Sequence, residues 1–279
     1  MAIRIITDST SDIPQEHQQQ LGIDIVPLTV IFDGKKYTDG VDLKKEQFYD
    51  MLSKSATLPT TSQVNPDGFL GLFNRYTAAG DDVLVILISS HLSGTYQSAV
   101  IAKDMAGSDR IFIVDSKSAT FGLALLVYEA IRLRDTGAAV KDIYDHLLTL
   151  RENVKFYAAV DTLKYLKMGG RLSASAAIIG GMLNVKPLVS IIGGEVKSVG
   201  KVRGQKAALA HLADTLKTEL PDTRYPVVFG HTLAPALVEE LLNMVRGTID
   251  VSSVYICEIG CVIAAHSGPG CIGFAYIPR

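Results

Sequence analysis

The chain has 279 residues, of which 48% are hydrophobic and 20% are charged, and its formal net charge is −2. This composition is typical of a globular protein of about two domains, and it excludes a disordered chain. The near-neutral charge excludes the strongly basic face of a nucleic-acid-binding protein, and it allows at most transient contact with a membrane surface.

The N-terminal sequence MAIRIITDST predicts a buried strand, because one basic residue and a short apolar run are followed at once by Asp8. A signal peptide would have a longer apolar region. The longest apolar run is about seven residues, around residues 83–88, whereas a membrane-spanning helix needs ~20. We therefore expect a cytoplasmic protein.

In the first half of the chain, apolar runs alternate with amphipathic segments. The strand-like runs cover residues 2–7, 23–32, 82–89 and 111–115, and the helical patterns cover residues 45–53, 66–79, 95–105 and 119–136. Strands that are apolar on both faces indicate a parallel sheet covered by helices on both sides.

The pattern changes after about residue 155. Short helices are predicted over residues 163–168 and 173–183, longer ones over 206–219 and 235–246, and strands over 188–192, 195–199, 227–230, 253–259 and 273–277. The turn Gly193-Gly194 predicts a hairpin. The expected fold class is therefore α/β with two domains: an N-terminal parallel sheet with helices on both faces (residues 1–157), and a C-terminal α/β domain with a mixed or antiparallel sheet (residues 158–279).

Hydroxyl and acidic side chains follow three of the predicted strands. These segments are TDSTSD at residues 7–12, SSHLSGT at 89–95 and the pair Asp115-Ser116, and a fourth segment, PTTSQ at 59–63, precedes a helix. In open parallel sheets ligands bind beyond the carboxyl ends of the strands, so these segments could converge on one cleft. Each could also be only a helix cap, and for a single segment that is the simpler interpretation.

Hydroxyls and helix N-termini suit an anion, and these segments contain no Lys or Arg, so a carboxylate is favoured over a triphosphate. Neither nucleotide-binding fingerprint is present in the sequence.

Two more clusters lie in the second half. Gly169-Gly170-Arg171 precedes a segment rich in small residues, which could pack closely against another helix or against a slim apolar ligand. His266 lies in a Gly-rich segment, where a neutral imidazole could donate to a carboxylate.

The three cysteines, Cys257, Cys261 and Cys271, are expected to be free thiols in a reducing compartment. Their spacing matches no standard zinc pattern, so no metal site is predicted.

These segments together resemble the DegV family of bacterial fatty-acid-binding proteins. The resemblance runs nearly from end to end, and its order and spacing are more specific than any single motif. It rests on TDSTSDIP (7–14), PLTVIFDGKKYTDG (27–40), PTTSQ (59–63), SSHLSGTYQSA (89–99), VDS (114–116), DTLKYLKMGGRLS (161–173), KVRG (201–204) and HSGPG (266–270).

The resemblance implies two α/β domains, an apolar tunnel for one long-chain fatty acid such as C16 or C18, and no cofactor. It also implies that some relatives are the lipid-carrying subunit of a bacterial fatty acid kinase, whose separate catalytic subunit supplies ATP, and we expect this chain to present its bound acid in the same way. Position by position, it assigns the carboxylate to Thr61, Ser93 and His266, with Ser62, Gly94 and Ser116 as lesser candidates, and it places Arg171 and Arg203 at exposed basic positions that could dock the kinase.

Two other functions stay open at this point. Ser93 and His266, with Asp8 or Asp115, could form the triad of a serine hydrolase acting on acyl esters, although Ser93 lacks the usual nucleophile elbow. A scaffold with an incidental structural lipid is the third possibility.

Overall fold

The computed structural model describes residues 2–55, 57–173 and 184–279. The strands in these residues are β1 Ile3–Asp8, β2 Ile23–Val26, β3 Thr29–Phe32, β4 Lys35–Thr38, β5 Thr60–Ser62, β6 Asp82–Leu87, β7 Ile111–Asp115, β8 Lys155–Ala159, β9 Val185–Ile192, β10 Glu195–Arg203, β11 Val228–His231, β12 Tyr255–Glu258 and β13 Ile272–Tyr276. The helices are α1 Gln15–Leu21, α2 Lys45–Lys54, α3 Pro66–Ala78, α4 Thr95–Ala106, α5 Thr120–Asp135, α6 Val140–Leu150, α7 Lys164–Met168, α8 Gln205–Thr218, α9 Pro235–Val245 and α10 Cys261–Ser267. Most of the predicted helix over residues 173–183, with its small residues, lies outside the described residues.

The N-terminal sheet is parallel, with strand order β2-β1-β6-β7. Its central strands are almost fully buried, because helices cover both faces. The carboxyl ends of β1, β6 and β7 therefore meet at one edge, where the polar segments that follow them come together. The predicted fold class is confirmed.

The segment predicted as one strand over residues 23–32 is instead two strands in different sheets. β2 pairs with β1, whereas β3 pairs with β4 and β5 in a separate three-stranded antiparallel sheet. Pro27 separates them, and it has no backbone N–H to donate to a continuing ladder. The sequence does not predict this small sheet as a unit, and it carries Thr61 on β5.

Helix α5 is buried along most of its length, from Thr120 to Ile131. It packs against β1 and β6 of the N-terminal sheet and also against β11 and β13. Its first half, residues 121–128, is apolar on all sides because it lies between two sheets, and its charged side chains come only from Glu129 onward.

The C-terminal sheet is mixed, with strand order β10-β9-β8-β13-β11-β12. The predicted hairpin is present: β9 and β10 are antiparallel, and Gly193 and Gly194 both have positive φ (63° and 88°), as a two-residue hairpin turn requires. The proposed domain boundary between residues 157 and 158 stays a prediction; it falls within β8, whose five residues all belong to this sheet.

Candidate functional site

A cavity of about 440 Å³ lies between residues of the N-terminal and C-terminal sheets. This volume is within the usual range of small-molecule sites. Most of its wall is aliphatic or aromatic: Leu28, Ile88, Phe121, Phe156, Ala158, Val160, Leu166, Val189, Ile191, Val196, Ile259, Val262 and Ile263. Nearly all of these side chains are buried, so the interior of the cavity suits an apolar ligand.

Most of the polar lining residues are more exposed than the apolar ones, although two of them, Thr120 and Ser267, are buried. Ser62, Gln63 and Asn65 are exposed, and Thr61, Ser93 and His266 are half-buried. The cavity therefore has a polar opening and an apolar interior, which is the polarity of an amphiphile that enters tail first.

Thr61 and His266 meet at this opening. The Thr61 Oγ1 lies 2.9 Å from the His266 Nε2. Thr61 is held by β5, which pairs with β3, and His266 lies in the last turn of α10. The sequence does not predict this short helix, and the Gly-rich segment that contains His266 begins in its last turn.

The His266 imidazole is neutral, because burial and, secondarily, the nearby Arg171 lower its pKa to about 4. Its Nδ1 is buried and has no hydrogen-bond partner among the described residues. A proton on Nδ1 would be a buried donor without an acceptor, so we assign the proton to Nε2. Nε2–H then donates to the Thr61 Oγ1, and the Thr61 hydroxyl proton is free to donate to a ligand.

The Ser93 hydroxyl is oriented by hydrogen bonds in a similar way. Its Oγ lies 2.9 Å from the Thr95 Oγ1 and accepts from the Thr95 N–H at 3.3 Å. Thr95 is fully buried and its Oγ1 also accepts from the Val64 N–H, so its hydroxyl proton is best satisfied by the Ser93 Oγ. The half-buried Ser93 can therefore direct its own proton into the cavity.

The loop that contains Ser93 and Gly94 leads directly into α4, at the opening of the cavity. The first backbone N–H groups of a helix have no partner within it and carry partial positive charge. A carboxylate at Ser93 would be stabilised by this helix end in addition to the hydroxyl.

Gly169 and Arg171 also contribute to the opening. A Cβ on Gly169 would lie 2.2 Å from the His266 Nδ1, so this glycine makes room for the imidazole. Arg171 is half-buried and lines the cavity, and its guanidinium donates to the backbone oxygens of Leu92 and Gly169. Arg171 is therefore not the exposed position that the resemblance implies, and the sequence does not predict its place in the wall.

Of the other predicted residues, Ser62 and Gly94 line the cavity, and Arg203 is exposed at the end of β10. Ser116 does not belong to the lining. Its hydroxyl is fully buried and is engaged with the backbone of Ser118 in the turn after β7. We therefore leave Ser116 out of the site.

The geometry does not favour the serine hydrolase. The His266 Nε2 faces Thr61, and its Nδ1 has no carboxylate partner in the described part of the chain. Asp8 accepts from the N–H groups of Thr10 and Ile88, and Asp115 accepts from Ser90 and Lys117. Neither acid orients the imidazole as a triad requires.

A second cavity, of about 600 Å³, lies at the start of α10 and is lined by charged groups that include Asp12, Asp39, Lys45 and Glu258. It is larger than the first, but these charges do not suit an acyl chain.

The three cysteines are free and buried, and burial raises the pKa of each thiol, to about 12 for Cys271. Across residues 2–55, 57–173 and 184–279, no three His, Cys, Asp or Glu side chains are grouped as a metal ion would need. No helix in the same residues combines the length and the apolar character of a membrane span.

Comparison with known proteins places the chain among close relatives. A family model described as "Uncharacterised protein, DegV family" matches residues 2–279. The chain is 40% identical over 272 residues to a DegV domain-containing protein of Caldanaerobacter subterraneus, and the match covers 97% of each chain.

Solved structures also match this chain over nearly its whole length. A DegV family protein from Thermus thermophilus, described as fatty acid binding, is 32% identical, with a TM-score of 0.90 and coverage of 99% of this chain and 100% of that one. A stearic acid-binding protein from Eubacterium ventriosum is 28% identical, with a TM-score of 0.87 and coverage of 100% and 98%.

Proposed function

The chain belongs to the DegV family, and we propose that it binds one long-chain fatty acid, with the acyl chain in the apolar cavity and the carboxylate at the polar opening. The observation that carries this proposal is the polarity of the cavity: a buried aliphatic wall that ends in two hydroxyl donors beside a neutral histidine.

The acyl chain supplies most of the affinity. Burying the methylenes of a C16 to C18 chain is worth roughly 11–14 kcal/mol before the entropic costs of binding, at ~0.8 kcal/mol per CH2. The head group then decides orientation, because a carboxylate left in the apolar interior would be desolvated without partners.

The Thr61 and Ser93 hydroxyls hold the carboxylate. Both have their acceptor lone pairs engaged, by His266 and Thr95, so each presents a proton to the ligand. Hydrogen bonds to a charged group contribute about 1.5–3 kcal/mol each. Arg171 adds positive potential nearby, although its guanidinium is already engaged with two backbone oxygens.

We further propose that the bound acid is presented to a separate ATP-dependent kinase subunit. A carboxylate at an opening lined by exposed side chains can be reached from outside, whereas the acyl chain cannot. One carboxylate oxygen would attack the γ-phosphorus of ATP, the bond from that phosphorus to ADP would break, and an acyl phosphate would form. In this role the chain is a binding subunit without catalytic residues of its own.

Exposed Arg203 is the proposed contact for the kinase, because it can reach an acidic partner surface without touching the lipid. Arg203→Glu should then slow acyl phosphate formation and leave fatty acid affinity unchanged. Thr61→Val with Ser93→Ala should weaken both.

The binding step is tested by titrating delipidated protein with palmitate and stearate, using displacement of a fluorescent fatty acid. We expect one site per chain and a loss of affinity of roughly 100-fold in the Thr61→Val/Ser93→Ala double variant, from two hydrogen bonds to a carboxylate. Unchanged affinity in that variant would contradict the assignment of the head group. Ester turnover that is lost in Ser93→Ala would instead support the hydrolase.

A further inference from the structure

Two acidic residues of the sequence motifs are not used by the proposed site. Asp12 ends the TDSTSD segment, and Asp39 follows β4 in the YTDG segment. Both are at least nine-tenths buried, and neither lines the apolar cavity. Buried carboxylates are costly to desolvate, so their contacts need an explanation.

Both carboxylates accept from the backbone at the start of α10. The Asp12 Oδ1 accepts from the Gly260 N–H at 2.9 Å, and the Asp39 Oδ1 accepts from the Cys261 N–H at 3.2 Å. These are two of the N–H groups that a helix start leaves without intrahelical partners.

Gly260 allows this approach. A Cβ on it would lie 2.9 Å from the Asp12 Oδ1, closer than a side chain is normally tolerated. Next to it, the Lys45 Nζ donates to the Glu258 backbone oxygen at 2.6 Å. Residues of the N-terminal half therefore hold the backbone that leads into α10 by three hydrogen bonds, at Glu258, Gly260 and Cys261.

The other end of α10 carries His266, five residues after Cys261. At 1.5 Å per residue this is about 7.5 Å along the helix axis. A short, rigid helix thus joins the two carboxylates to the imidazole that contacts Thr61.

The two ends of α10 are anchored on the same small sheet. Asp39 directly follows β4, β4 pairs with β3, and β3 pairs with β5, which holds Thr61. Asp39 contacts one end of α10 and Thr61 contacts the other, and the two residues are linked through only two strand pairings. These pairings fix the distance between Asp39 and Thr61, which α10 has to span.

We propose that Asp12 and Asp39 are positioning residues, which hold the start of α10 so that His266 stays within hydrogen-bond distance of Thr61. The claim rests on the proposed fatty acid site for its functional meaning, but the geometry it describes exists without a ligand. Loss of either acceptor lets α10 shift, breaks the contact between His266 and Thr61, and frees the Thr61 hydroxyl to turn away from the carboxylate.

The test compares Asp39→Ala and Asp12→Ala with Asp39→Asn and Asp12→Asn. Asparagine keeps the Oδ1 acceptor, so the Asn variants should retain fatty acid affinity, whereas each Ala variant should lose about tenfold, the worth of one hydrogen bond to a charged ligand. The matched control is Asp81→Ala, since Asp81 accepts from the Ala2 N–H at the amino end of β1, far from α10.

Two further readouts separate positioning from simple stabilisation. In delipidated protein, two-bond 1H–15N NMR of the His266 ring should show one neutral tautomer in the wild type and in Asp39→Asn, and an averaged signal in Asp39→Ala. In a His266→Ala background, adding Asp39→Ala should cause no further loss of affinity, because both act through one contact.

An unchanged His266 signal in Asp39→Ala, or losses that add fully in the double variant, would overturn the proposal. If the wild type binds no fatty acid, the proposed function fails, and the NMR signal still decides whether Asp39 positions His266. If an Ala variant does not fold, Gly260→Ala provides a second perturbation of the same contact and should give the same averaged signal.

Discussion

The His266 Nε2 lies 2.9 Å from the Thr61 Oγ1, although 205 residues separate the two in the chain. This contact joins α10 to the small sheet at the opening of the cavity. Because the Thr61 oxygen accepts from the imidazole, the Thr61 hydroxyl proton is available to a ligand. Because burial keeps the imidazole neutral, His266 acts here as a hydrogen-bond donor that orients a hydroxyl, and it does not act as a positive charge.

The two hydroxyls should contribute separately to binding. Thr61→Val keeps the shape of the side chain and removes its hydroxyl donor. Ser93→Ala removes the hydroxyl donor just before α4. We expect each to weaken palmitate binding by roughly tenfold. Thr215→Val and Ser53→Ala change hydroxyls that bond to backbone oxygens on the solvent-facing sides of α8 and α2, and they should leave affinity unchanged. Equal effects of site and control variants would argue against specific head-group contacts.

Gly169→Ala should damage the site by a steric effect alone. The backbone of Gly169 has φ −74° and ψ −5°, which alanine adopts without strain, but the new Cβ would lie 2.2 Å from the His266 Nδ1. We expect displacement of the ring and a loss of affinity of about tenfold, like that of losing its hydrogen bond. Gly71→Ala is the control, because its Cβ would meet nothing within 4 Å. Normal binding by Gly169→Ala would mean that the position of the ring is unimportant.

The pH dependence of binding should show no titration of His266 near neutrality. Its pKa is lowered from 6.5 to about 4, chiefly by burial, so the imidazole stays neutral from pH 8 to pH 6. We expect affinity for a long-chain alkyl sulfonate, whose head group stays anionic, to change by less than about twofold over this range. A steep increase in affinity with a midpoint near 6.5 would mean that the ring binds the anion as imidazolium.

Asp12 should make stability fall as pH rises. Burial raises its pKa from 3.8 to about 7, with the nearby Thr120 hydroxyl, the charge of Lys45 and the hydrogen bond from the Gly260 N–H opposing the shift and Asp39 adding to it. Between these two pKa values the folded state binds more protons than the unfolded state, so this contribution is lost as pH rises from 3.8 to 7 and is constant above.

Asp12→Asn removes that titration and keeps the acceptor for Gly260. Relative to the wild type, it should raise the free energy of unfolding at pH 8 by on the order of 1–3 kcal/mol, and have less effect at pH 4. Denaturant unfolding at the two pH values measures this difference. A variant that is less stable than the wild type at pH 8 would show that the charged form of Asp12 is needed by the fold.

The sequence predicts the N-terminal parallel sheet well because its strands are near-continuous apolar runs. It does not predict the sheet of β3, β4 and β5 as a unit, since β4 and β5 are short and mostly polar, without a hydrophobic period. It also merges β2 and β3, because the apolar pattern continues across Pro27 and only the missing donor marks the change of sheet.

Thr61, Ser93 and His266 can each be proposed from sequence, but their proximity cannot, because it depends on how α10 packs against the small sheet and on how the elements around the cavity enclose it. The resemblance implies an exposed Arg171, whereas in the structure this residue is half-buried in the wall of the cavity, a place that depends on the tertiary fold. The requirement for a glycine beside the His266 ring is visible only in three dimensions.

The central claim is tested most directly by native mass spectrometry of the protein as purified, followed by denaturing extraction and identification of the lipid. We expect one fatty acid of about C16 to C18 per chain, exchangeable with added palmitate, and a lower occupancy in the Thr61→Val/Ser93→Ala variant. A protein that is empty as purified and that also refuses added palmitate and stearate would contradict the account, and a bound lipid that cannot be exchanged would indicate a structural component.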